Sequence, residues 1–381
     1  MTLAPAVAPE DPATAARAAG DAIAALFDPE FQRVLRRLGD HRRGDAGNPS
    51  QDEAAARAAV WSVVAESGAL RAGMADSADS AGGGGLRAAL PIIELMGESL
   101  YQSSYLDTLA AVDAIGCLAD PAGWRDLLDG AAAGEVSFAL AALEPGGRSP
   151  RQPGPMHCDP ATGRISGVRT FVRCADSADY LLVAAGGVDD GQPGPLLALV
   201  PCDQPGVTLR RQEELGRADL FEVCLDGADV LLAEHRRDPD HAWWAEILDR
   251  AQLRHAAYLL GLCRASLSLT LARVKERSVF GRPLGAHQVP AFRLAALAAR
   301  LEAVRSLVYR SCAQADRAWR GGSAEVATAS ARSLMLAGEL ALDVTADSLQ
   351  LHGAPGLIES SDAQLLYRRA LTESALFGRR T

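Results

Sequence analysis

The segment RSVFGRPLGAHQ, at positions 277–288, lies between two long stretches of helical hydrophobic spacing. It predicts that one helix ends at Gly281 and that the next begins near His287. Arg277 then lies in the last turn of the first helix, and Gln288 lies at the start of the second. An arginine guanidinium offers a rigid fork of donors that suits a pyrophosphate. The segment is therefore a candidate ligand-binding turn, although taken alone it also fits an ordinary helix end and loop.

Four stretches of helical spacing fill the C-terminal part of the chain. The second has Pro290 in its first turn, where a missing N–H is tolerated, and the third has Ser323 and Glu325 as a starting signal. Four long amphipathic helices joined by short loops predict a four-helix bundle over residues 236–381. The four stretches are 242–281, 287–322, 323–353 and 363–378.

The residues before the bundle divide into two further zones. Residues 1–130 show helical spacing and predict an N-terminal helical domain. Residues 131–235 consist of short apolar runs punctuated by Gly, Pro and Asp, which predicts a small middle β-barrel or sandwich. The predicted fold class is therefore α+β and mostly α. The Gly-rich run at 75–85 is interpreted as a loop, because it lacks the preceding strand and the GK[ST] ending of a phosphate cradle.

A second glycine-containing segment, QLHGAPG at 350–356, ends the third helix of the bundle. Gly353 and Gly356 permit close approach of the backbone to a ligand. The same residues also suit a simple helix C-cap and loop, so the segment becomes informative only together with its neighbours in the chain.

Composition narrows the class of protein. The 381 residues are 48% hydrophobic and 23% charged, as in ordinary globular proteins, and the net charge of −10 argues against a dedicated nucleic-acid or anionic-membrane binder. Seven cysteines without a CxxC pair indicate packed thiols in a reducing compartment. With no signal peptide and no long uninterrupted apolar run, we expect a cytoplasmic protein. No HExxH or CxxC spacing occurs, so we expect no metal site.

The motifs, taken in order, resemble the acyl-CoA dehydrogenase family over nearly the whole chain. The RxxFGxxLxxxQ pattern that begins at Arg277 and the glycine pattern that begins at Gln350 carry most of the resemblance. Supporting matches are Gly97-Glu98, Leu143-Glu144-Pro145, the segment 167–179 and Tyr367-Arg368. The resemblance implies a tetramer, a dimer of dimers, with FAD between barrel and bundle. It also implies an acyl thioester of CoA or of a carrier protein as substrate, whose α-proton goes to a Glu and whose β-hydride goes to the flavin.

The resemblance also assigns residues to FAD. Bundle residues reach the FAD of a neighbouring subunit in this family, and the matching residues here are Arg277, Phe280, Gln288, Gln350 and Gly353. Two barrel positions face the isoalloxazine, and in the family these are threonines. Here they are Leu143 and Arg173. The half of the site that serves a partner is thus retained, and the half that serves the chain's own flavin is altered.

The family's catalytic Glu is missing from both of its usual positions. Phe377 occupies one and Ala251 the other, and neither side chain can accept a proton. Glu373 lies one helical turn before Phe377 and is the candidate displaced base; the alternative is a Glu in a salt bridge near Arg369. Asp249 and Glu246 lie close to Ala251.

Three functions follow from these features. The first is an FAD-dependent acyl-CoA or acyl-carrier-protein dehydrogenase that forms an α,β-double bond with a displaced base. The second is a non-catalytic partner subunit of a heteromeric acyl-CoA dehydrogenase. The third is a repurposed, non-redox enzyme of specialised metabolism on the same fold. The acyl chain and the electron acceptor stay open.

Overall fold

The computed structural model describes residue 21 and residues 51–376, apart from short internal segments. Those segments are 75–83, 119–123, 147–149, 152–153, 155, 160–161, 190–191, 213–215, 218, 236–241 and 322. Most of the Gly-rich run at 75–85, and Phe377, lie outside the described residues.

Helices form the N-terminal part, because its Ala- and Leu-rich stretches favour helix. The helices are α1 (Gln51–Glu66), α2 (Ala69–Gly73), α3 (Gly85–Glu98), α4 (Tyr105–Ile115) and α5 (Arg125–Ala133). The apolar face of α3 packs against the bundle, and α4 packs against both the bundle and the first strand.

The middle of the chain forms a β module of two four-stranded sheets. One has the order β1-β4-β5-β8 and the other the order β2-β3-β7-β6. Strand β1 runs parallel to β4, while the remaining pairs within these sheets are antiparallel. The strands are β1 (Phe138–Ala141), β2 (His157–Asp159), β3 (Arg164–Arg173), β4 (Tyr180–Asp189), β5 (Gln192–Pro201), β6 (Val207–Arg211), β7 (Leu220–Asp229) and β8 (Leu232–His235). An apolar cluster between the sheets forms a second core.

Four helices form the C-terminal bundle, with the longest helix buried at its centre. They are α6 (Ala242–Glu276), α7 (Gln288–Arg317), α8 (Ala324–His352) and α9 (Asp362–Ala375). Ser323 caps α8 by accepting a hydrogen bond from the Val326 N–H, and Gly353 ends it with a φ of 67°. The helices, sheets and bundle confirm the predicted fold class.

The predicted end of the first bundle helix is wrong by several residues. Helix α6 ends at Glu276, and a short hairpin follows, β9 (Ser278–Val279) and β10 (Arg282–Pro283). Its tip holds Phe280 and Gly281 at positive φ, 51° and 79°, and this geometry closes a tight hairpin. Arg277 therefore lies just beyond the helix rather than in its last turn.

Helix α6 is long and apolar enough to cross a membrane, and it is the one such helix in the described part of the chain. Two-thirds of its most apolar window, 67%, is buried inside the protein. Its apolar residues pack against α3 and α8, as expected of the central helix of a bundle.

Candidate functional site

The predicted pyrophosphate-binding residues meet at one end of the bundle. Arg277 follows α6, Gln288 begins α7, and Gln350 lies in the last turn of α8; all three are exposed. The ends of α6 and α8 are tied together because Arg273 Nη2 donates to the carbonyl oxygen of His352 at 3.5 Å. The turn after α6 is fixed by the Leu284 N–H, which donates to the Arg277 carbonyl oxygen at 2.7 Å.

Apolar side chains surround these donors and stand out from the protein. We call this set the bundle-end patch, and its members are Phe280, Val289, Phe292, Leu357 and Ile358. Phe280 is 94% exposed at the tip of the hairpin. These side chains lie in the segments after α6, at the start of α7 and after α8, and large exposed apolar residues beside polar ones are typical of a protein–protein interface. This end of the bundle therefore has the character of a subunit boundary.

Glu373, the candidate displaced base, lies in a buried cluster of charges. Its Oε1 accepts a hydrogen bond from Arg217 Nη1 at 2.6 Å and lies 3.7 Å from Arg369 Nη1. Both Glu373 and Arg369 have fully buried side chains. Burial alone raises the pKa of the Glu373 carboxyl, but the positive charge of Arg217, with smaller effects of His255, Arg369 and Arg173, lowers it below its ordinary value. A carboxylate held this way is a weak base.

His255 on α6 completes one wall of the cluster. Its Nε2 lies 2.8 Å from the Glu373 carbonyl oxygen and 3.6 Å from Glu373 Oε2. Burial lowers the pKa of His255 to about 4, although the nearby Glu373 carboxylate opposes the shift. The imidazole is therefore neutral at pH 7, and the Glu373 carbonyl oxygen accepts a hydrogen bond from its Nε2–H.

Arg173, one of the two residues predicted to face a flavin, is held by a carboxylate of the N-terminal helices. It forms an ion pair with Asp107 on α4, and its Nε donates to Asp107 Oδ2 at 3.3 Å. Desolvation lowers the pKa of Arg173, but the charge and hydrogen bond of Asp107 raise it above its ordinary value. The guanidinium therefore stays charged inside the protein.

The backbone on either side of Arg173 is strained. Phe171 and Cys174 both have positive φ, 53° and 51°, a region that non-glycine residues rarely occupy. The β3–β7 ladder has a register shift between Arg169 and Val172, which is the mark of a bulge. Arg173 lies between these two residues, and its side chain pairs with Asp107 outside the β module. Such strain is concentrated at functional sites.

Two small cavities lie on either side of Arg173. The first, of about 10 Å³, has Glu373 in its wall and holds at most one water molecule. The second, of about 40 Å³, lies between the β module and the bundle. Its lining contains both barrel residues of the predicted flavin site, Leu143 and Arg173. Its other lining residues are Leu140, Ala142, Pro150, Thr170, Phe171, Leu248 and Leu376.

The two halves of the predicted FAD site differ in how well they suit the cofactor. The bundle end offers an arginine fork and two amides at an exposed surface, a donor set that fits a dinucleotide's diphosphate. Pockets for ligands of this kind measure roughly 300–1,000 Å³, so a cavity of about 40 Å³ beside Arg173 does not fit an isoalloxazine ring. The bundle end thus carries exposed donors of the kind that a diphosphate needs, whereas the space beside Arg173 is too small for the ring system.

The carboxylates near Ala251 already have partners. Asp249 forms an ion pair with Arg151, and Glu246 Oε1 accepts a hydrogen bond from the Arg320 N–H at 2.9 Å. Ala251 itself is buried in α6. Within the described residues, no group of three or more His, Cys, Asp or Glu side chains could hold a metal ion.

Several members of the buried cluster were not found from the sequence. The sequence analysis did not single out Asp107, Arg217 or Asp219. In the structure, Arg217 Nε donates to Asp219 Oδ1 at 2.7 Å. The only local signal is the Arg-x-Asp spacing at 217–219, which places both side chains on one face of an extended segment. Asp107 lies in a helix without any charge pattern that would single it out.

Residues 242–380 match the family model described as acyl-CoA dehydrogenase, C-terminal domain. An acyl-CoA dehydrogenase of Bacillus subtilis (strain 168) is 30% identical over 213 residues, which are 54% of this chain and 55% of that protein. The chain thus matches about half the length of this curated relative.

Solved structures extend the similarity to the whole chain. The steroid ACAD Tcur3481-Tcur3483 is 26% identical, with a TM-score of 0.75 over 97% of this chain and 94% of that one. A glutaryl-CoA dehydrogenase from Mycobacterium smegmatis, solved in complex with FADH2, is 16% identical and has the same fold, with a TM-score of 0.73 over 97% and 91% of the two chains. The C-terminal bundle therefore matches the acyl-CoA dehydrogenase C-terminal domain, and the chain has the fold of the acyl-CoA dehydrogenase family.

Proposed function

We propose that this chain is a subunit of an FAD-dependent assembly of the acyl-CoA dehydrogenase type, which acts on an acyl thioester. In this proposal Arg277, Gln288 and Gln350 bind the FAD diphosphate at a boundary with a second subunit. The observation that carries the proposal is the exposure of these three donors at one end of the bundle, beside the bundle-end patch.

The chemistry of the bundle end supports this role. A guanidinium binds a diphosphate through parallel charge-assisted hydrogen bonds, and each amide adds a neutral donor. Gly353 lies three residues after Gln350, and apart from its own chain neighbours no atom of the described residues lies within 4 Å of the position where its Cβ would be. A ligand can therefore approach the backbone there without a steric obstacle.

The relatives supply the cofactor and the kind of assembly. The glutaryl-CoA dehydrogenase neighbour was solved with FADH2, and the steroid ACAD neighbour carries the double name Tcur3481-Tcur3483. FAD supplies hydride transfer when it is bound. The contribution of this chain's own residues is binding and orientation at the subunit boundary.

The test uses a tagged copy of the chain, expressed in its source organism and purified as the native assembly. We expect FAD to be released on denaturation, with the absorbance of an oxidised flavin. Arg277→Ala should weaken FAD retention at least tenfold, because one charge-assisted contact contributes about 1.5–3 kcal/mol. Arg300→Ala is the matched control, since Arg300 is an exposed arginine that pairs with Asp343 along α7 and α8. A native assembly without flavin would contradict the proposal.

A second candidate function is proton abstraction by Glu373 in the chain's own site. One observation favours it: Glu373 Oε2 is buried beside the small cavity and accepts no hydrogen bond from the described residues. The lowered pKa of Glu373 and the cavity of about 10 Å³ weigh against it. Exchange of the α-protons of butyryl-CoA in D₂O, followed by NMR, tests this role. Exchange that is lost in Glu373→Gln would support it, and no exchange by the wild-type protein would exclude it for this thioester.

A further inference from the structure

We infer that the Asp107–Arg173 ion pair closes the flavin-facing side of this chain's own β module. The FAD of the assembly then rests on the β module of a non-identical subunit of the same fold. The inference depends on the proposed function for the presence of FAD, and it adds which subunit holds the ring and which residues prevent this chain from doing so.

The space beside Arg173 is too small for a flavin ring system. The cavity between the β module and the bundle measures about 40 Å³, and the leucines at 248 and 376 reach into it from the bundle. A flat three-ring system needs several times that volume. Opening it requires movement of Arg173, because this residue lines both cavities and separates them.

Moving Arg173 costs free energy, because its ion pair with Asp107 is buried. Its side chain is 11% exposed and that of Asp107 is 2% exposed, so each buried charge depends on the other. Separating them leaves two poorly solvated charges, which is strongly unfavourable. The pair is therefore a fixed part of the interior and not a gate that a neutral ring system could displace.

The buried charges around Arg173 balance one another. Arg173 pairs with Asp107, while Arg217 and Arg369 form a second set of ion pairs with Asp219 and Glu373. Positive and negative charges are balanced, and His255 is neutral at pH 7. The cluster therefore has no excess of either charge with which to bind an ionic ligand in place of its own partners.

The partner subunit is a different chain from this one. In an assembly of identical chains, every bundle end would meet a copy of the same closed β module. The exposed donors at Arg277, Gln288 and Gln350 would then have no isoalloxazine site opposite them. A related chain with an open β module satisfies both observations, because its ring site and this chain's diphosphate donors together hold one FAD.

The experiment measures flavin binding by the chain alone and by an opened variant. After expression in a host without the partner, we expect the wild-type protein to bind less than 0.1 FAD per chain when it is titrated with FAD. The double variant Arg173→Thr with Asp107→Ala removes both charges together and should bind FAD at least tenfold more tightly. The control double variant Arg164→Thr with Asp229→Ala removes an exposed ion pair of the β module and should behave like the wild-type protein.

Each outcome decides the inference. One FAD per chain in the wild-type protein alone would overturn it and leave the proposed function standing. A folded opened variant, judged by circular dichroism, that gains no affinity for FAD would show that Asp107–Arg173 is not the closing element. If that variant does not fold, the native assembly decides. One FAD for every two chains and a second, different chain in the mass spectrum support the inference, and a single kind of chain with one FAD each overturns it. An assembly without flavin contradicts the proposed function instead.

Discussion

Arg217 Nη1 donates a hydrogen bond of 2.6 Å to Glu373 Oε1, and this contact joins the β module to the last helix of the bundle deep inside the protein. The two side chains are 4% and 0% exposed. An ion pair buried this completely adds little net stability compared with an apolar pair of the same shape, because both charges lose their hydration. Removal of one partner lowers the stability strongly, because the other charge then stays buried without a partner.

Glu373→Ala should therefore be strongly destabilising. It leaves Arg217 and Arg369 with one acceptor fewer in a fully buried position. We expect the free energy of unfolding to fall by about 3–5 kcal/mol, the usual cost of breaking a buried ion pair from one side. Chemical denaturation of the purified protein measures the change. Asp343→Ala is the control, because it breaks the exposed pair with Arg300 and should cost less than about 1 kcal/mol. Equal losses in the two variants would contradict the assignment of a buried cluster.

Acid should destabilise the protein through His255. Burial lowers its pKa to about 4 in the folded state, whereas an unfolded histidine takes up a proton near pH 6.5. Between these values the unfolded state binds more protons, so the free energy of unfolding falls as the pH is lowered from about 6.5 to about 4. The loss from this group is at most about 3 kcal/mol. Denaturation curves at pH 7, 6 and 5 measure it.

Glu373 adds to the same trend at lower pH. Because the folded protein lowers the pKa of its carboxyl, the contribution of Glu373 is present above pH 4.5 and is lost as the pH falls through the lowered value. His255→Gln removes the upper part of the dependence and should flatten the slope between pH 6.5 and 5. A wild-type protein equally stable at pH 7 and pH 5 would show that His255 is not buried in its neutral form.

The sequence predicted the bundle better than the buried cluster, for a physical reason. Helix spacing, the Ser323 cap and the Gly353 end are local signals, and the structure confirms both termini of α8. The end of α6 was misplaced because the stretch up to Gly281 keeps a helical apolar pattern, while the hairpin depends on positive φ at Phe280 and Gly281. Backbone conformations of this kind leave only a weak trace in residue types.

The cluster depends on pairs that are remote in the chain. Asp107 and Arg173 are 66 residues apart, and Arg217 and Glu373 are 156 apart. The sequence does not show which charged residue pairs with which. Each of these four residues is therefore expected to be a surface charge until the fold is known. Glu373 was singled out only because of its distance from Phe377, and its environment could not be foreseen from that distance.

Helices α3 and α6 cross at two glycines that permit backbone contact. A Cβ on Gly97 would lie 2.0 Å from the Tyr258 carbonyl oxygen, and one on Gly261 would lie 1.9 Å from the Glu94 carbonyl oxygen. Gly97→Ala and Gly261→Ala should each lower the free energy of unfolding by at least about 2 kcal/mol, because the helices must move apart. The double variant should cost less than the sum of the two, since either methyl group already separates the same helices.

Gly338 in α8 is the matched control for these helix glycines. The nearest atom to its added Cβ is Ser374 Oγ at 3.5 Å, an ordinary contact distance. Gly338→Ala should therefore stabilise the protein by about 0.5–1 kcal/mol, the usual advantage of alanine over glycine inside a helix. Thermal and chemical denaturation of the three variants give the comparison. Loss of stability in Gly338→Ala equal to that in Gly97→Ala would mean that helix propensity and backbone contact cannot be separated here.

The bundle-end patch should control assembly. Phe280 and Phe292 are 94% and 66% exposed in the single chain, and aromatic anchors of this kind contribute much of the energy of protein interfaces. The double variant Phe280→Ser with Phe292→Ser should shift the protein to a smaller species in light scattering after size-exclusion chromatography, with an unchanged circular dichroism spectrum. Leu231→Ser removes an apolar side chain that is 55% exposed in the β module and should leave the molar mass as in the wild-type protein. If the serine pair leaves the assembly intact, the subunit boundary lies elsewhere, and the three donors beside Phe280 then need another explanation for their exposure.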